Sequence, residues 1–136
     1  MLERSEFKIL TMEEIQMAKR VMVVDDSKIV YMQIKNMLSD TDYEVVAYCP
    51  SGNEALEQYG QVKPDLVTMD IIMPGMDGLE CVEAILEEYP DAKIIMISSL
   101  AYDDTFDEAK RIGARGFIGK PLEKEGLLEA FQKAME

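Results

Sequence analysis

Short apolar runs alternate with segments of helical periodicity from Arg20 onward, and this alternation constrains the fold more than any other feature. The central runs lack the polar alternation of a half-exposed strand, which is typical of strands covered on both faces. Strands that alternate with helices predict βαβ units and a parallel sheet between two helix layers. The predicted strands are Val21 to Asp25, Glu44 to Cys49, Leu66 to Asp70, Lys93 to Ser98 and Gly116 to Gly119.

Five helical segments follow these strands, and their ends carry chemical markers. Asp77 and Glu80 have the spacing of a capping box, and we expect helices to end at Gly60, Pro90 and Gly113. The predicted helices are Ser27 to Leu38, Asn53 to Tyr59, Leu79 to Tyr89, Asp104 to Ile112 and Lys124 to Met135.

Five units of this length predict an α/β fold: a flavodoxin-like, doubly wound, five-stranded parallel sheet in the order 2-1-3-4-5. Ligands of such sheets bind at the carboxyl ends of strands, at the switch point between the first and third strands. These two ends carry Asp25, Asp26 and Asp70, while Ser98 and Lys120 end the fourth and fifth strands. The sequence therefore predicts one site built from all five residues.

Composition excludes several classes of function. The 136 residues predict one domain, and the formal net charge of −13 would repel nucleic acid. No stretch approaches the roughly 20 apolar residues of a membrane span, and the start of the chain lacks the layout of a signal peptide. We expect a cytoplasmic protein that binds neither nucleic acid nor membrane directly.

The chain contains no histidine and only two cysteines. The absence of histidine removes the usual general base and the commonest zinc ligand. Cys49 and Cys81 have apolar neighbours and no CxxC spacing, which predicts buried, reduced thiols. Any chemistry must therefore depend on carboxylates, hydroxyls, lysine and a hard cation.

Three carboxylates at one edge repel one another. Two unit charges about 4 Å apart cost roughly 4 kcal/mol at an effective dielectric constant near 20. Either some of Asp25, Asp26 and Asp70 are protonated or a cation lies among them; oxygen ligands favour Mg²⁺, with Mn²⁺ or Ca²⁺ as substitutes. An isolated Asp25 or Asp26 could instead cap the first helix, and Asp77 is predicted to be a cap rather than a ligand.

A carboxylate, a hard cation, a lysine and a small hydroxyl residue are the parts that phosphoryl transfer needs. Asp70 is the predicted nucleophile because it ends the central strand. Lys120 would place a positive charge on the phosphoryl oxygens, and Ser98 would donate a hydrogen bond. Since the chain has no histidine, a partner or a small phosphodonor must supply the phosphoryl group.

Four segments, in order and with their spacing, resemble the receiver domain of response regulators. The resemblance covers Arg20 to Met135 and is strongest to stand-alone chemotaxis regulators and to the receiver half of chemotaxis methylesterases. It predicts an arm at residues 1–19 and a receiver domain at residues 20–136. The segments are Val23-Val24-Asp25-Asp26-Ser27, Pro64 to Gly78 (Pro-Asp-Leu-Val-Thr-Met-Asp-Ile-Ile-Met-Pro-Gly-Met-Asp-Gly), Ile97-Ser98-Ser99 and Gly113 to Pro121 (Gly-Ala-Arg-Gly-Phe-Ile-Gly-Lys-Pro).

The resemblance implies a role for each site residue. Asp70 would accept a phosphoryl group from a sensor histidine kinase or a histidine phosphotransfer protein. Asp26, Asp70 and the backbone carbonyl of Ile72 would bind the metal, with Asp25 assisting. Ser98 and Lys120 would contact the phosphoryl oxygens.

The resemblance also implies switch and tuning positions. Ser98 and Phe117 would form the switch; because phenylalanine has no hydroxyl, switching would be a packing event. Ile72 and Leu100 match the positions that influence loss of the phosphoryl group. Both are apolar, so neither would orient an attacking water, and we expect a long-lived phosphorylated state.

Partner binding is implied at the face of the fourth helix, fifth strand and fifth helix, although the charged residues there are equally typical of a solvated helix. The expected function is that of a single-domain, magnesium-dependent response regulator in two-component, chemotaxis-type signalling, not an enzyme. Alternatives are a receiver-like interaction module that is not phosphorylated and a receiver fragment of a larger regulator such as a chemotaxis methylesterase. For the N-terminal arm, a flexible or loosely docked segment is favoured over a partner or dimer contact.

Overall fold

The computed structural model describes residues 18–99 and 103–136, which form five strands and five helices in strict alternation. The strands are β1 (Lys19–Val24), β2 (Tyr43–Cys49), β3 (Leu66–Asp70), β4 (Ile94–Ser98) and β5 (Gly116–Gly119). The helices are α1 (Lys28–Met37), α2 (Gly52–Val62), α3 (Gly78–Glu88), α4 (Asp103–Ile112) and α5 (Lys124–Met135).

The strands form one parallel sheet in the order β2-β1-β3-β4-β5, which confirms the predicted doubly wound topology. β1 pairs with both β2 and β3, so the strand order reverses at this point. Asp70 of β3 is level with Ile97 of β4, and Ser98 is level with Gly119. The residues that end β3, β4 and β5 therefore lie at one edge of the sheet.

Helices cover both faces of the sheet, as the apolar runs predict. One face packs against α2, α3 and α4 through residues that include Met69, Met96 and Val82. The other packs against α1 and α5, where Phe131 is fully buried and contacts the Tyr43 ring edge-on. Burial on both faces explains why the central strands show no polar alternation.

The predicted boundaries hold to within a few residues, but the expected end of α2 at Gly60 is wrong. The helix continues to Val62 and ends at Lys63, whose φ of 52° is left-handed. Gly60 has a packing role instead, because a Cβ there would lie 2.4 Å from the Tyr89 hydroxyl. The glycine leaves room for the Tyr89 hydroxyl against α2.

The two cysteines are free and buried, as the sequence predicts. Burial raises the pKa of the Cys49 thiol to about 11 and that of Cys81 to about 12. Across residues 18–99 and 103–136, no helix is long and apolar enough to cross a membrane.

Candidate functional site

β1 delivers Asp25 and Asp26 to the carboxyl edge of the sheet in two different environments. Asp25 is 2% exposed and accepts a hydrogen bond from the Ser27 backbone N–H at 2.8 Å, while Asp26 is exposed. Ser27 is the N-cap of α1, with its side chain accepting from the Val30 N–H. Neither aspartate therefore caps the helix, and the alternative of a capping role is wrong.

β3 delivers Asp70, which is 6% exposed, to the start of a tight turn. The turn is closed by a hydrogen bond of 2.8 Å from the Gly78 N–H to the Ile71 carbonyl. A Cβ at Gly78 would lie 2.1 Å from the Asp70 carbonyl oxygen, so only glycine fits. Asp77 caps α3 in a reciprocal capping box with Glu80, as predicted.

Lys120 reaches from the end of β5 toward both buried carboxylates. Its Nζ lies 3.3 Å from Asp25 Oδ2 and 3.5 Å from Asp70 Oδ1. Its backbone N–H donates to the Ser98 carbonyl at 2.9 Å, and the Lys120–Pro121 peptide bond is cis. Lys120 is therefore part of the cluster and not an ordinary surface lysine.

The cluster brings three carboxylates together with one lysine. One oxygen from each of Asp25, Asp26 and Asp70 lies within 4.8 Å of the others. Desolvation and the negative charge of Asp25 raise the pKa of Asp70 to about 6, although Lys120 acts in the opposite direction. A single ammonium group does not neutralise the cluster, which leaves net negative charge at the site.

This donor set fits a hard divalent cation. All three aspartates offer oxygen ligands, which Mg²⁺ and Ca²⁺ prefer, and the described residues provide no nearby thiolate or imidazole. Since Asp26 is exposed, a cation there would keep part of its water shell, as Mg²⁺ usually does. The predicted acidic metal pocket therefore exists as a cluster of suitable ligands.

The other predicted residues lie around the cluster at different depths. Ser98 is buried at the end of β4, beside Gly119 of β5. The Ile72 side chain is 55% exposed just after Asp70. Phe117 is half-buried and contacts the ring of Phe106 at 5.6 Å between centroids. Leu100 lies outside the described residues.

Two features of the site were not predicted. The segment Met73 to Gly78 indicates a turn, but the close packing of Gly78 against the Asp70 carbonyl was not apparent from it. Thr68 is buried on β3 with a hydroxyl that has no hydrogen-bond partner in the described part of the chain. The sequence shows Thr68 as a polar residue inside an apolar run, but it does not show which atoms surround its hydroxyl.

Most of the chain also matches known proteins. The sequence profile of the response regulator receiver domain matches residues 21–132. The chain belongs to this family. The chemotaxis protein CheY of Listeria monocytogenes is 44% identical over 115 residues, which cover 85% of this chain and 97% of that protein.

Solved structures agree in fold. A chain of the CheX–CheY–BeF₃–Mg²⁺ complex of Borrelia burgdorferi superposes with a TM-score of 0.84 at 31% identity, covering 87% of this chain and 90% of that chain. The response regulator domain of Thermotoga maritima CheB superposes with a TM-score of 0.81 at 38% identity, covering 87% and 96%. The resemblance inferred from four sequence segments is thus confirmed.

Proposed function

We propose that this protein is a response regulator of chemotaxis type, in which Asp70 accepts a phosphoryl group and thereby changes the affinity for a protein partner. The observation that carries the proposal is the cluster itself. A nearly buried carboxylate lies 3.5 Å from a lysine ammonium and beside two further aspartates that can hold a cation. These are the parts needed for phosphoryl transfer to a carboxylate.

In the proposed reaction, an Asp70 carboxylate oxygen attacks the phosphorus of a phosphohistidine on a sensor kinase or a phosphotransfer protein. The O–P bond forms as the N–P bond breaks, and the imidazole keeps the electron pair. Lys120 and Ser98 would contact the phosphoryl oxygens, because both lie at the same edge of the sheet as Asp70. The protein assists only its own phosphorylation and dephosphorylation.

Asp25, Asp26, Asp70 and the Ile72 backbone carbonyl would hold a Mg²⁺ ion. When bound, it supplies the positive charge that the phosphoryl oxygens require. The CheY complex with BeF₃ and Mg²⁺ supports this choice, since that structural neighbour contains both groups. Asp25 would contribute less directly, because its Oδ1 already accepts from Ser27 and its Oδ2 faces Lys120.

Incubation with a small phosphodonor and Mg²⁺, followed by intact-mass measurement, tests the proposal. The wild type should gain the mass of one phosphoryl group, and Asp70→Asn should gain none. Asp77→Asn is the matched control, because this aspartate is a helix cap and should leave phosphorylation intact. An unmodified wild type, or an Asp70→Asn variant that is labelled as fully, contradicts the proposal.

The lifetime of the phosphorylated state is a second testable part of the proposal. Exposed Ile72 offers no group that could orient an attacking water, and Leu100 is also apolar. Replacing both, as Ile72→Asn with Leu100→Glu, should speed dephosphorylation measured by loss of the phosphorylated mass. An unchanged rate would show that these positions do not control the lifetime.

The partner surface is proposed at α4, β5 and α5. Phe117 contacts Phe106 of α4, so a change in the packing of Phe117 would reach this helix. CheX accompanies CheY in the Borrelia complex, which supports a protein as the partner here. A receiver fragment of a chemotaxis methylesterase would carry the same site chemistry, and the CheB receiver domain supports that alternative only at the level of the domain.

A further inference from the structure

β5 is an edge strand, and its outer side is flanked by two grooves. One groove, of about 170 Å³, lies between α4 and β5 and includes Phe106 and Phe117. The second, of about 390 Å³, lies between β5 and α5 and includes Gly119 and Gly126. Within the described residues β5 pairs with β4 alone, so the hydrogen-bonding groups on its outer side are not used by the sheet.

The floor of these grooves is open and partly apolar. Positions where Cβ atoms of Gly119 and Gly126 would stand have no heavy atom within 4 Å. Phe106 is 47% exposed and packs against the half-buried ring of Phe117. A peptide segment could therefore approach the backbone of β5 closely and cover apolar surface at the same time.

Three cations surround the lower end of β5, where the strand begins: Lys110, Arg115 and Lys133. None of them forms an ion pair within 4 Å with a carboxylate of the described residues. Arg115 makes a long hydrogen bond, of 3.5 Å, to the Ala134 carbonyl. In a chain of net charge −13, this is a positive spot, and Glu129 is the only acid among the described residues that line the grooves.

The N-terminal arm is long enough to reach this spot. Met22, Val67 and Ile94 are aligned across the sheet, and the Arg115 N–H donates to the Ile94 carbonyl. Arg115 thus lies three strands across and three residues above Lys19, a separation of about 17 Å. About five extended residues span this distance. Counting back about five residues from Lys19, the first residue of β1, an extended arm would bring residues 13 and 14 to the cations.

Those residues are Glu13 and Glu14, and the residues before them are apolar at Phe7, Ile9 and Leu10. We propose that the chain's own N-terminal arm docks on the outer side of β5, with Glu13 and Glu14 at the cations and residues 7–12 beside the strand. The charge of Glu13 and Glu14, the length of the arm and the apolar residues before them all support this placement. The proposal does not depend on phosphorylation, and it implies that the arm competes with any partner for the α4, β5 and α5 face.

A spin label on the arm tests the docking in the full-length chain. Lys8→Cys is labelled with a nitroxide, and the wild type treated in the same way checks that buried Cys49 and Cys81 stay unlabelled. We expect the amide signals of β5 and of Gly126 to broaden strongly, and those of Glu57 and Glu87 on α2 and α3 to stay sharp. Adding Ile9→Ser and Leu10→Ser should abolish the selective broadening at β5 and Gly126, because these substitutions remove apolar side chains of the arm. Uniform broadening, or broadening centred on α1, overturns the proposal.

Two further measurements test whether the arm docks on its own chain or on a second copy, and whether the cations of the groove favour docking. A mixture of unlabelled ¹⁵N protein with spin-labelled ¹⁴N protein should show no specific broadening; broadening there would assign the arm to a second copy and overturn docking within one chain. Lys110→Glu with Lys133→Glu should lower the docked-to-free ratio about fivefold. Lys35→Glu with Lys63→Glu changes the charge equally and should have little effect; equal losses would show that no local charge match exists.

Discussion

The carboxyl ends of β1 and β3, here called the central edge, are buried and charged. The outer surface formed by β5, α4 and α5, here called the β5 face, is half-exposed and carries both apolar and charged side chains. Asp25 and Asp70 are almost fully buried at the central edge, and every residue of β3 is buried behind them. No residue of β5 is fully buried. The two regions meet at Lys120, which directly follows β5 and contacts Asp25 and Asp70 of the acidic cluster.

This difference separates a fixed site from an adaptable surface. At the central edge, contacts between backbone atoms hold Asp70 in place, because the turn behind it has no room even for a methyl group. At the β5 face, glycines border open space and aromatic rings are partly exposed. We therefore expect substitutions of the same type to have large effects at the central edge and small ones at the β5 face.

The largest contrast should come from one pair of glycine substitutions. Gly78→Ala places a Cβ 2.1 Å from the Asp70 carbonyl oxygen, so the turn must move. We expect a loss of more than about 4 kcal/mol in the free energy of unfolding, measured by urea denaturation. Gly126→Ala is the matched control, because it points into open space on α5 and should stabilise the helix by about 0.5 to 1 kcal/mol. Similar effects at both positions would remove the contrast between the regions.

A pair of phenylalanines extends the contrast to side-chain packing. Phe131→Ala removes a fully buried ring from the core under the central strands and should cost about 3 to 5 kcal/mol in the same assay. Phe117→Ala removes a half-buried ring from the β5 face and should cost about half as much. A larger loss at Phe117 would show that the β5 face is part of the rigid core.

The sequence predicted the central edge better than the β5 face, and the reason is physical. Buried parallel strands need continuous apolar runs, so β3 could be placed correctly from residue 66 to residue 70. The polar residues at the ends of the runs then predicted the carboxylates and the lysine that cluster at this edge. Asp77 was likewise recognised as a cap because its partner Glu80 is local in sequence.

Features that depend on contacts distant in sequence could not be predicted. Gly60 looks like a helix end, yet its role is set by Tyr89, the C-cap residue of α3. Asp25 is buried and contacts Lys120, which is 95 residues away, whereas its neighbour Asp26 is exposed, and nothing local in the sequence separates the two. The grooves beside β5 are invisible in the sequence, since they arise from the distance between α4, β5 and α5.

The third comparison concerns the pH dependence of stability at Asp70, measured in protein kept free of metal with a chelator. The native-state pKa of about 6 exceeds the ordinary 3.8, so the folded state binds the proton more tightly than the unfolded state. The stability contributed by this group is present below about pH 4 and is lost as the pH rises through 6. Asp70→Asn removes this loss and should stabilise the protein by about 1 to 3 kcal/mol at pH 7, with little gain at pH 4.

Asp107→Asn on α4 is the matched control for this titration, because that carboxylate lies at the exposed side of the β5 face. It should change the stability little at either pH. Urea denaturation of both variants at pH 4 and pH 7 provides the comparison. A gain for Asp70→Asn that is equal at the two pH values would show that removal of a desolvated, ionised carboxylate beside Asp25 is not its cause.

The smallest difference in stability is expected between substitutions of two lysines. Comparing them shows whether the burial of an ion pair or its N–O distance matters more for stability. Lys124 lies 2.7 Å from Asp40 in an exposed pair, whereas Lys120 lies 3.3 Å from nearly buried Asp25. Water and salt screen the exposed pair, so Lys124→Met should leave the stability unchanged within error. Lys120→Met leaves two buried carboxylates without their cation and should cost about 1 to 2 kcal/mol in metal-free protein at pH 7. If Lys124→Met costs more than Lys120→Met, the shorter distance outweighs the burial, and the central edge owes less to Lys120 than its position implies.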